Sequence, residues 1–358
     1  MRVVSLRVDA LRCLSNVELS PVAGLNVFLG TNGAGKTSIL EALYLLGYGR
    51  SFRTHDHDAV IARGKSRLTV FAEIERFGAL ERVGLERGKS NWRALSNGEV
   101  LAELGELVRR MPVLAFAPES HSLVSGPSEG RRRFFDWLMF HVEPGFSAAA
   151  RRYARCLRQR NAALKLDGGD FDPWTEQLVL AGEDLNSLRS RHFPNFAAHT
   201  ATALSRFLPE LGDIKLSFAR GWRDDTTLAV RLAELRDRER DVGHTLAGPH
   251  RANWQILARA GELKDIGSRG QQKLVALAVV TAAAEIFREQ TGHPPVILLD
   301  DVTSELDGEH QQRVLVHCAS LGAQLWVTGT DRSPALDAWQ GDVAWFHVEH
   351  GAVRRATA

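Results

Sequence analysis

The stretch LNVFLGTNGAGKTSILEAL, residues 25–43, constrains this chain more than any other. An apolar, strand-like run enters a loop of pattern G-x-x-x-x-G-K-T, and the loop enters a segment whose periodicity predicts a helix over residues 37–46, closed by Gly47 as its C-cap. Gly30, Gly33 and Gly35 let the backbone curl so that successive N–H groups face inward. The positive end of the following helix adds to the same field, and together they hold the phosphates of a nucleotide. Lys36 is placed to reach the β- and γ-phosphates of ATP and Thr37 to ligate Mg²⁺. Thr31, Asn32, Ala34 and Ser38 complete the expected nucleotide-binding set with these residues.

A second stretch, PPVILLDDVTSELD (residues 294–307), supplies acid. Its uninterrupted apolar run at 296–299 predicts a strand buried on both faces, as in a parallel sheet. The acids at its carboxyl end fall where open α/β sheets bind ligands. Asp300 is expected to hold Mg²⁺, through water, and Asp301 to orient or deprotonate an attacking water. Lys36 and Asp301 are thus the candidate catalytic residues.

Around these motifs the chain is organised unevenly. Residues 1–118 read mostly as strands, at 3–8, 16–19, 25–29, 67–75, 81–85 and 92–95, with turns at Phe77-Gly78 and Asn97-Gly98. Residues 119–244 change to helical periodicity, at 131–141, 146–166 and 174–193. From 245 onward α/β alternation returns, with a helix at 271–288, strands at 296–299 and 324–328, and a closing hairpin over 343–357 around Gly351. The prediction is one discontinuous α/β domain, residues 1–118 plus 245–358, carrying a mixed sheet, with an inserted, mainly helical lobe at 119–244.

Bulk properties exclude several classes. The length of 358 residues fits about two domains. Apolar and charged contents of 44% and 25% exclude wholesale disorder. Three cysteines, Cys13, Cys156 and Cys318, form no C-x-x-C pair, so neither a disulfide framework nor a zinc site is supported. The longest apolar run, residues 274–284, is about half of what a membrane helix requires, and the first residues alternate rather than form a signal block. No membrane partner and a cytoplasmic location are expected. His55 and His57 read as solvent-facing residues of a polar turn.

GSRGQQKLVALA, residues 267–278, places a Ser-x-Gly-Gln turn before a helix, about 30 residues ahead of the acidic strand. This order of motifs resembles ABC-type P-loop ATPases. A hydroxyl and exposed N–H groups at a helix N-terminus make an anion site. The resemblance implies that Ser268, Arg269, Gly270 and Gln271 meet the γ-phosphate bound by a partner copy, in an ATP-dependent homodimer. Ser304 and Asp307 resemble the D-loop that crosses the dimer seam. Thr330 stands near the place of the transporters' switch histidine. No glutamine occurs between Gly49 and Arg158, so Glu119 is the candidate to supply the missing oxygen to the metal. Asp301 is one methylene shorter than the usual catalytic glutamate. These departures predict a weak, Mg-dependent ATPase, better suited to a clamp than to an engine.

The resemblance sharpens over nearly the full length. GTNGAGKTSILEALYLLGYGRSFRT, FAPESHSLVSGPSEGRRRFFD, TLAGPHR, SRGQQK and LLDDVTSELD together resemble the RecF family of bacterial recombinational repair. Arg12, in the loop after the first strand, is kept and is a candidate phosphate contact. The family's usual phenylalanine in that loop is missing, and Ala252-Asn253 replaces the usual acids after TLAGPHR. The resemblance implies an ATP-dependent clamp on duplex DNA near single-strand gaps or junctions, with RecR and RecO as partners in loading RecA.

Charge supports the DNA expectation independently. Residues 131–166 carry nine Lys/Arg against two acids, while the whole chain is only +2. A basic helical block on a near-neutral chain is a footprint for phosphate backbone. Arg131, Arg132, Arg133, Arg151, Arg152, Arg155 and Arg158 are the candidate contacts. No recognition-helix motif appears, so binding is expected to ignore sequence. Phe134, Phe135, Trp137 and Leu138 read as core of the helical lobe. The alternative reading, a nucleotide-binding subunit of an ABC transporter, is disfavoured by the missing switch histidine and glutamine. A structural ATPase with long coiled-coil arms would need more than residues 119–244 provide.

Overall fold

In the computed structural model the chain begins with β1 (Arg2–Asp9) and β2 (Val17–Leu19) and then lays down the strand that feeds the glycine loop, β3 (Leu25–Leu29). The structure describes residues 1–358 except 55, 57, 90, 167–171, 260 and 357–358, so His55 and His57 lie outside the described residues. Next come β4 (Arg67–Arg76), β5 (Ala79–Gly88), β6 (Trp92–Ser96), β7 (Glu99–Val100) and β8 (Val113–Phe116). Strands β2-β1-β4-β5-β6-β7 pair in that order as an antiparallel sheet. Alternation sets its faces: β4 buries Leu68, Val70, Ala72 and Ile74 and turns the residues between them outward. Both predicted turns form, with φ of 51° and 76° at Phe77-Gly78 and 49° and 89° at Asn97-Gly98. Positive φ at both central residues is the turn that matches strand twist.

The chain then builds long helices at Ser128–Val142, Phe146–Leu164 and Asp172–Phe207, and a three-stranded antiparallel sheet of β9 (Lys215–Ala219), β10 (Asn253–Ala258) and β11 (Gly261–Glu262). It returns through the helix Arg269–Thr291 to β12 (Val296–Leu299), the helix Gly308–Ser320, β13 (Leu325–Gly329), and the hairpin of β14 (Val343–Glu349) and β15 (Ala352–Arg355). The second large sheet has the order β15-β14-β3-β13-β12-β8. Its strands are parallel except β15, which pairs antiparallel at the edge. The mixed sheet is therefore as predicted, with the apolar strands β12 and β13 buried along their length.

The helix Lys36–Tyr48 contacts β8 and β13 of one sheet and β4 and β5 of the other. Ile39, Leu40, Ala42, Leu43, Leu45 and Leu46 are all buried. Each large apolar side chain so buried stabilises by about 1.5–3 kcal/mol. Its end differs from the sequence reading. The helix runs past Gly47 and closes at Gly49, φ 67°, whose N–H bonds the Leu45 carbonyl at 2.8 Å. Gly47 serves packing instead, because a Cβ there would sit 2.7 Å from the Val113 side chain.

Two compact units result, residues 1–120 with 284–358, and residues 121–283. The first boundary falls beside the expected 118; the second differs from the expected 244. Residues 245–283 join the second unit because β10 pairs with β9, a short strand inside the region read as helical. The helix Asp172–Phe207 also outruns its predicted end at 193, continuing through Pro194. An interior proline costs about 3 kcal/mol. The turns beyond it bury Phe196, Leu204 and Phe207, and Phe196 packs on Phe135 and edge-on to Trp254. Phe135, Trp137 and Leu138 are core, as expected.

Cys13, Cys156 and Cys318 are free thiols. Among the described residues no helix is long and apolar enough to cross a membrane.

Candidate functional site

The glycine loop leaves the carboxyl end of β3, between β13 and β14. A Cβ on Gly30 would lie 2.2 Å from the Val348 carbonyl oxygen, and Gly35 takes φ 113° with Cys13 Sγ 2.8 Å from where a Cβ would stand. Glycine is required at Gly30 by space, and at Gly35 by conformation as well as by space. The loop is held from outside by the β14–β15 turn, where the Gly351 N–H donates to the Ala34 carbonyl at 2.8 Å. The sequence predicts this hairpin but carries no signal that it braces the loop. The Lys36 ammonium is almost buried and donates to the carbonyls of Gly30 at 2.6 Å and Thr31 at 3.1 Å, which holds it across the loop mouth.

Parallel pairing of Leu299 with Val327 sets Asp300 beside Thr328. Three hydroxyl and carboxyl groups meet there. Thr37 Oγ1 donates to Asp300 Oδ1 at 3.0 Å, and Thr328 Oγ1 donates to the same oxygen at 2.6 Å. Burial pushes the Asp300 carboxyl above its ordinary value, opposed by the hydrogen bonds from Thr328 and Thr37. Asp301 follows in the left-handed region at φ 56°, its N–H donating to Thr328 Oγ1 at 2.8 Å and its Oδ1 accepting from Ser304 Oγ at 2.8 Å. These groups line a cleft of about 290 Å³ together with the loop. Thr37 and Asp300 fit Mg²⁺, which takes hard oxygen donors and few protein ligands, leaving places for water and phosphate. Among the described residues no cluster of three or more His, Cys, Asp or Glu makes a self-sufficient metal cage.

Other expected residues are placed differently. Pro118 lines the cleft, while Glu119 is exposed on the turn beyond it and is not among the lining residues. Thr328 lines the cleft and Thr330 does not. Arg12 lines it too, but its guanidinium is engaged with Glu41, at 3.0 Å and 2.9 Å, and with the Ala59 carbonyl at 2.9 Å. The hydrogen bond to buried Glu41 raises the Arg12 pKa. Arg53, a lining residue that sequence reasoning missed, stands 3.9 Å from the same carboxylate. The polar turn GRSFRT held the only hint.

In the second unit Ser268, Arg269 and Gly270 are exposed at the start of the helix Arg269–Thr291. Ser268 Oγ accepts from the Gln271 N–H at 3.2 Å, and the Ser268 N–H donates to Gln271 Oε1 at 3.0 Å. This is a reciprocal capping box. Gln272 is buried and donates to the carbonyls of Lys264 and Gly267 at 3.2 Å and 3.0 Å, tying the turn to the preceding one. The two glutamines thus build the turn and leave Ser268, Arg269 and Gly270 exposed at its surface. In the first unit Asp307 caps the helix Gly308–Ser320 by accepting from the His310 N–H at 2.9 Å.

The basic block separates into two populations. Arg131 is a correction to the expected DNA set. It is buried, and its guanidinium donates to Asn253 Oδ1, Val124 O and Gly126 O at 2.8, 3.1 and 2.8 Å, because its helix face points inward. Arg160, part of the same charge count, is buried against Glu239 at 2.6 Å. Arg132 is half-buried and donates to Ser128 Oγ and the Ala252 carbonyl, both at 2.8 Å. Arg133 pairs with Glu129 and Arg152 with Asp184. Arg151, Arg155, Arg158 and Lys165 are exposed, at spacings that keep them on one side of the helix Phe146–Leu164 and its C-cap.

The sequence profile of the RecF/RecN/SMC N terminal domain matches residues 2–351. A DNA replication and repair protein RecF from Xanthomonas axonopodis pv. citri (strain 306) is 45% identical over 363 residues, covering 99% of each chain. The chain belongs to the RecF family. A RecF from Shewanella oneidensis is 35% identical, again over 99% of both chains. Among solved structures, the recombination mediator protein RecF-ATPrS in the RecFOR pathway superposes with a TM-score of 0.86 at 25% identity, covering 99% of this chain and 98% of that one. An SMC head bound to the C-winged helix domain of ScpA shares the fold at TM-score 0.60 and 13% identity, covering 99% of this chain and 97% of that one. The fold is therefore that of RecF and of SMC heads, an ABC-type P-loop ATPase architecture.

Proposed function

We propose that this chain is an ATP-dependent DNA-binding clamp of recombinational repair. The observation that carries the reading is the cleft, in which a phosphate loop, the Thr37–Asp300 contact at 3.0 Å and the left-handed Asp301 converge. The RecF relatives are DNA replication and repair proteins, and solved RecF structures carry ATP or ATPrS, which supports ATP as the ligand here. Lys36 and the loop N–H groups would hold the β- and γ-phosphates, and Thr37 and Asp300 would hold Mg²⁺. Mg²⁺, when bound, neutralises charge on those phosphates. Asp301 orients or deprotonates the attacking water, and its short reach makes hydrolysis slow. Glu119 would approach the metal only by a change in its exposed turn.

The exposed Ser268 turn offers its hydroxyl and the N–H groups of Arg269 and Gly270, which the capping box does not use, to the γ-phosphate of a partner copy, so that ATP joins two chains into a homodimer, with Ser304 and Asp307 near the seam. The stripe Arg151, Arg155, Arg158 and Lys165 takes duplex backbone without reading sequence. Family resemblance adds RecO and RecR as partners and a place near single-strand gaps where RecA is loaded; the RecFOR context of the solved RecF supports it.

The test is solution mass with and without ATP, for the wild type and for Ser268→Asp. Aspartate keeps the helix cap but sets a negative charge against the partner's phosphate. The wild type becomes dimeric only with ATP. Ser268→Asp binds ATP and stays monomeric. A variant that dimerises normally sinks the trans contact, and a wild type whose mass ignores ATP sinks the clamp.

A further inference from the structure

Thr328 is wholly buried near the end of β13, and its hydroxyl makes two bonds of opposite sense. It donates to Asp300 Oδ1 at 2.6 Å and accepts the Asp301 N–H at 2.8 Å. One oxygen thus touches both acids at the end of β12. Each bond has a separate effect. The first holds the Asp300 carboxyl in the orientation in which Thr37 also reaches Oδ1, at 3.0 Å. The second fixes the backbone of Asp301 at φ 56°, a conformation that a residue other than glycine keeps only when its surroundings hold it. Without an acceptor on β13, the part-buried N–H of Asp301 would favour a different peptide orientation, and the Asp301 carboxylate would leave the cleft wall.

We infer that Thr328 is a positioning residue that couples the two aspartates, setting one for the metal and the other for the attacking water. This inference rests on the nucleotide reading of the cleft. The sequence reading singled out Thr330, two residues later and near the place of the switch histidine, but Thr330 is not among the cleft-lining residues and Thr328 is. Serine keeps the hydroxyl. Valine keeps the shape and loses both bonds.

The experiment uses the full chain as wild type, Thr328→Val and Thr328→Ser. Three quantities are measured: affinity for a fluorescent ATP analogue in EDTA, Mn²⁺ affinity by paramagnetic resonance with a non-hydrolysable ATP analogue present, and ATP turnover. Thr328→Val should lose about tenfold or more in both Mn²⁺ affinity and kcat, with metal-free nucleotide affinity within about twofold of wild type, and Thr328→Ser should recover both losses. If Thr328→Val does not fold, Thr328→Cys, close in volume and only a weak donor, takes its place in the same comparison. A valine variant that matches wild type overturns the inference. So does a folded serine variant as impaired as valine, since the side chain's packing rather than its hydroxyl would then matter. A wild type that binds no nucleotide in EDTA or with Mn²⁺ overturns instead the reading of the cleft on which this one rests.

Discussion

Arg160 and Glu239 form an ion pair at 2.6 Å with side-chain exposures of 1% and 0%. Arg160 also donates to Thr175 and Thr245, both at 2.8 Å, so Glu239 balances its charge and the two hydroxyls satisfy further donors. Removing one member of such a pair leaves an uncompensated buried charge. Arg160→Met should lower unfolding free energy by about 3–5 kcal/mol, whereas the double change Arg160→Met with Glu239→Leu should recover much of the loss. Urea unfolding of the two variants checks this. A double variant as unstable as the sum of its singles would show that the pair is not coupled.

His250 predicts a pH dependence. Its Nδ1 faces the Tyr153 hydroxyl at 2.6 Å and its Nε2 the Thr245 carbonyl at 3.1 Å, so Nε2–H donates and Nδ1 accepts. Burial pushes the imidazole down from 6.5 to about 4, against the hydrogen bond to Thr245, and Arg251 and Arg132 add to the fall. As pH drops through 6.5 the unfolded chain takes up a proton that the folded chain refuses. Stability is therefore complete above pH 6.5 and declines toward pH 4, by roughly 3 kcal/mol at most from this residue. Melting curves across that window should flatten in His250→Gln.

The exposed stripe predicts a salt law. If Arg151, Arg155, Arg158 and Lys165 each release one counterion, the log–log slope of DNA affinity against salt is about −3.6 per protomer. Replacing the three arginines with glutamate should remove about three units of slope and leave ATP affinity unchanged. An unaltered slope would move the DNA surface to another face.

The phosphate loop predicts two losses that differ in kind. Lys36→Met should abolish ATP binding while the melting temperature stays near wild type, because the ammonium bonds only loop carbonyls. Gly30→Val should lose both, since any Cβ meets the Val348 carbonyl at 2.2 Å. Calorimetric titration with ATP, run beside thermal melts, separates the two.

The strands and motifs around the cleft were legible because each obeys a local rule. Alternation marks β1 and β4, an apolar run marks β12, and glycine spacing marks the loop. The misses arise where long-range packing overrides the local signal. Gly47 is a glycine for Val113, not for a cap. Pro194 does not stop its helix, because the residues after it have a core to fill. Composition counted Arg131 and Arg160 as surface charge, but charge totals do not record which way a helix face points. Arg53 and Thr328 enter the cleft through loop closure and strand register, which are set by partners distant in sequence.

The turn at His350-Gly351 closes over a loop made near the start of the chain, and β3 lies between two strands supplied by the last part of it. On a ribosome, then, the nucleotide cradle cannot be finished until Gly351 has been made. A chain stopped ahead of those strands would carry the lysine and the glycines without the two strands and the turn that hold them in place.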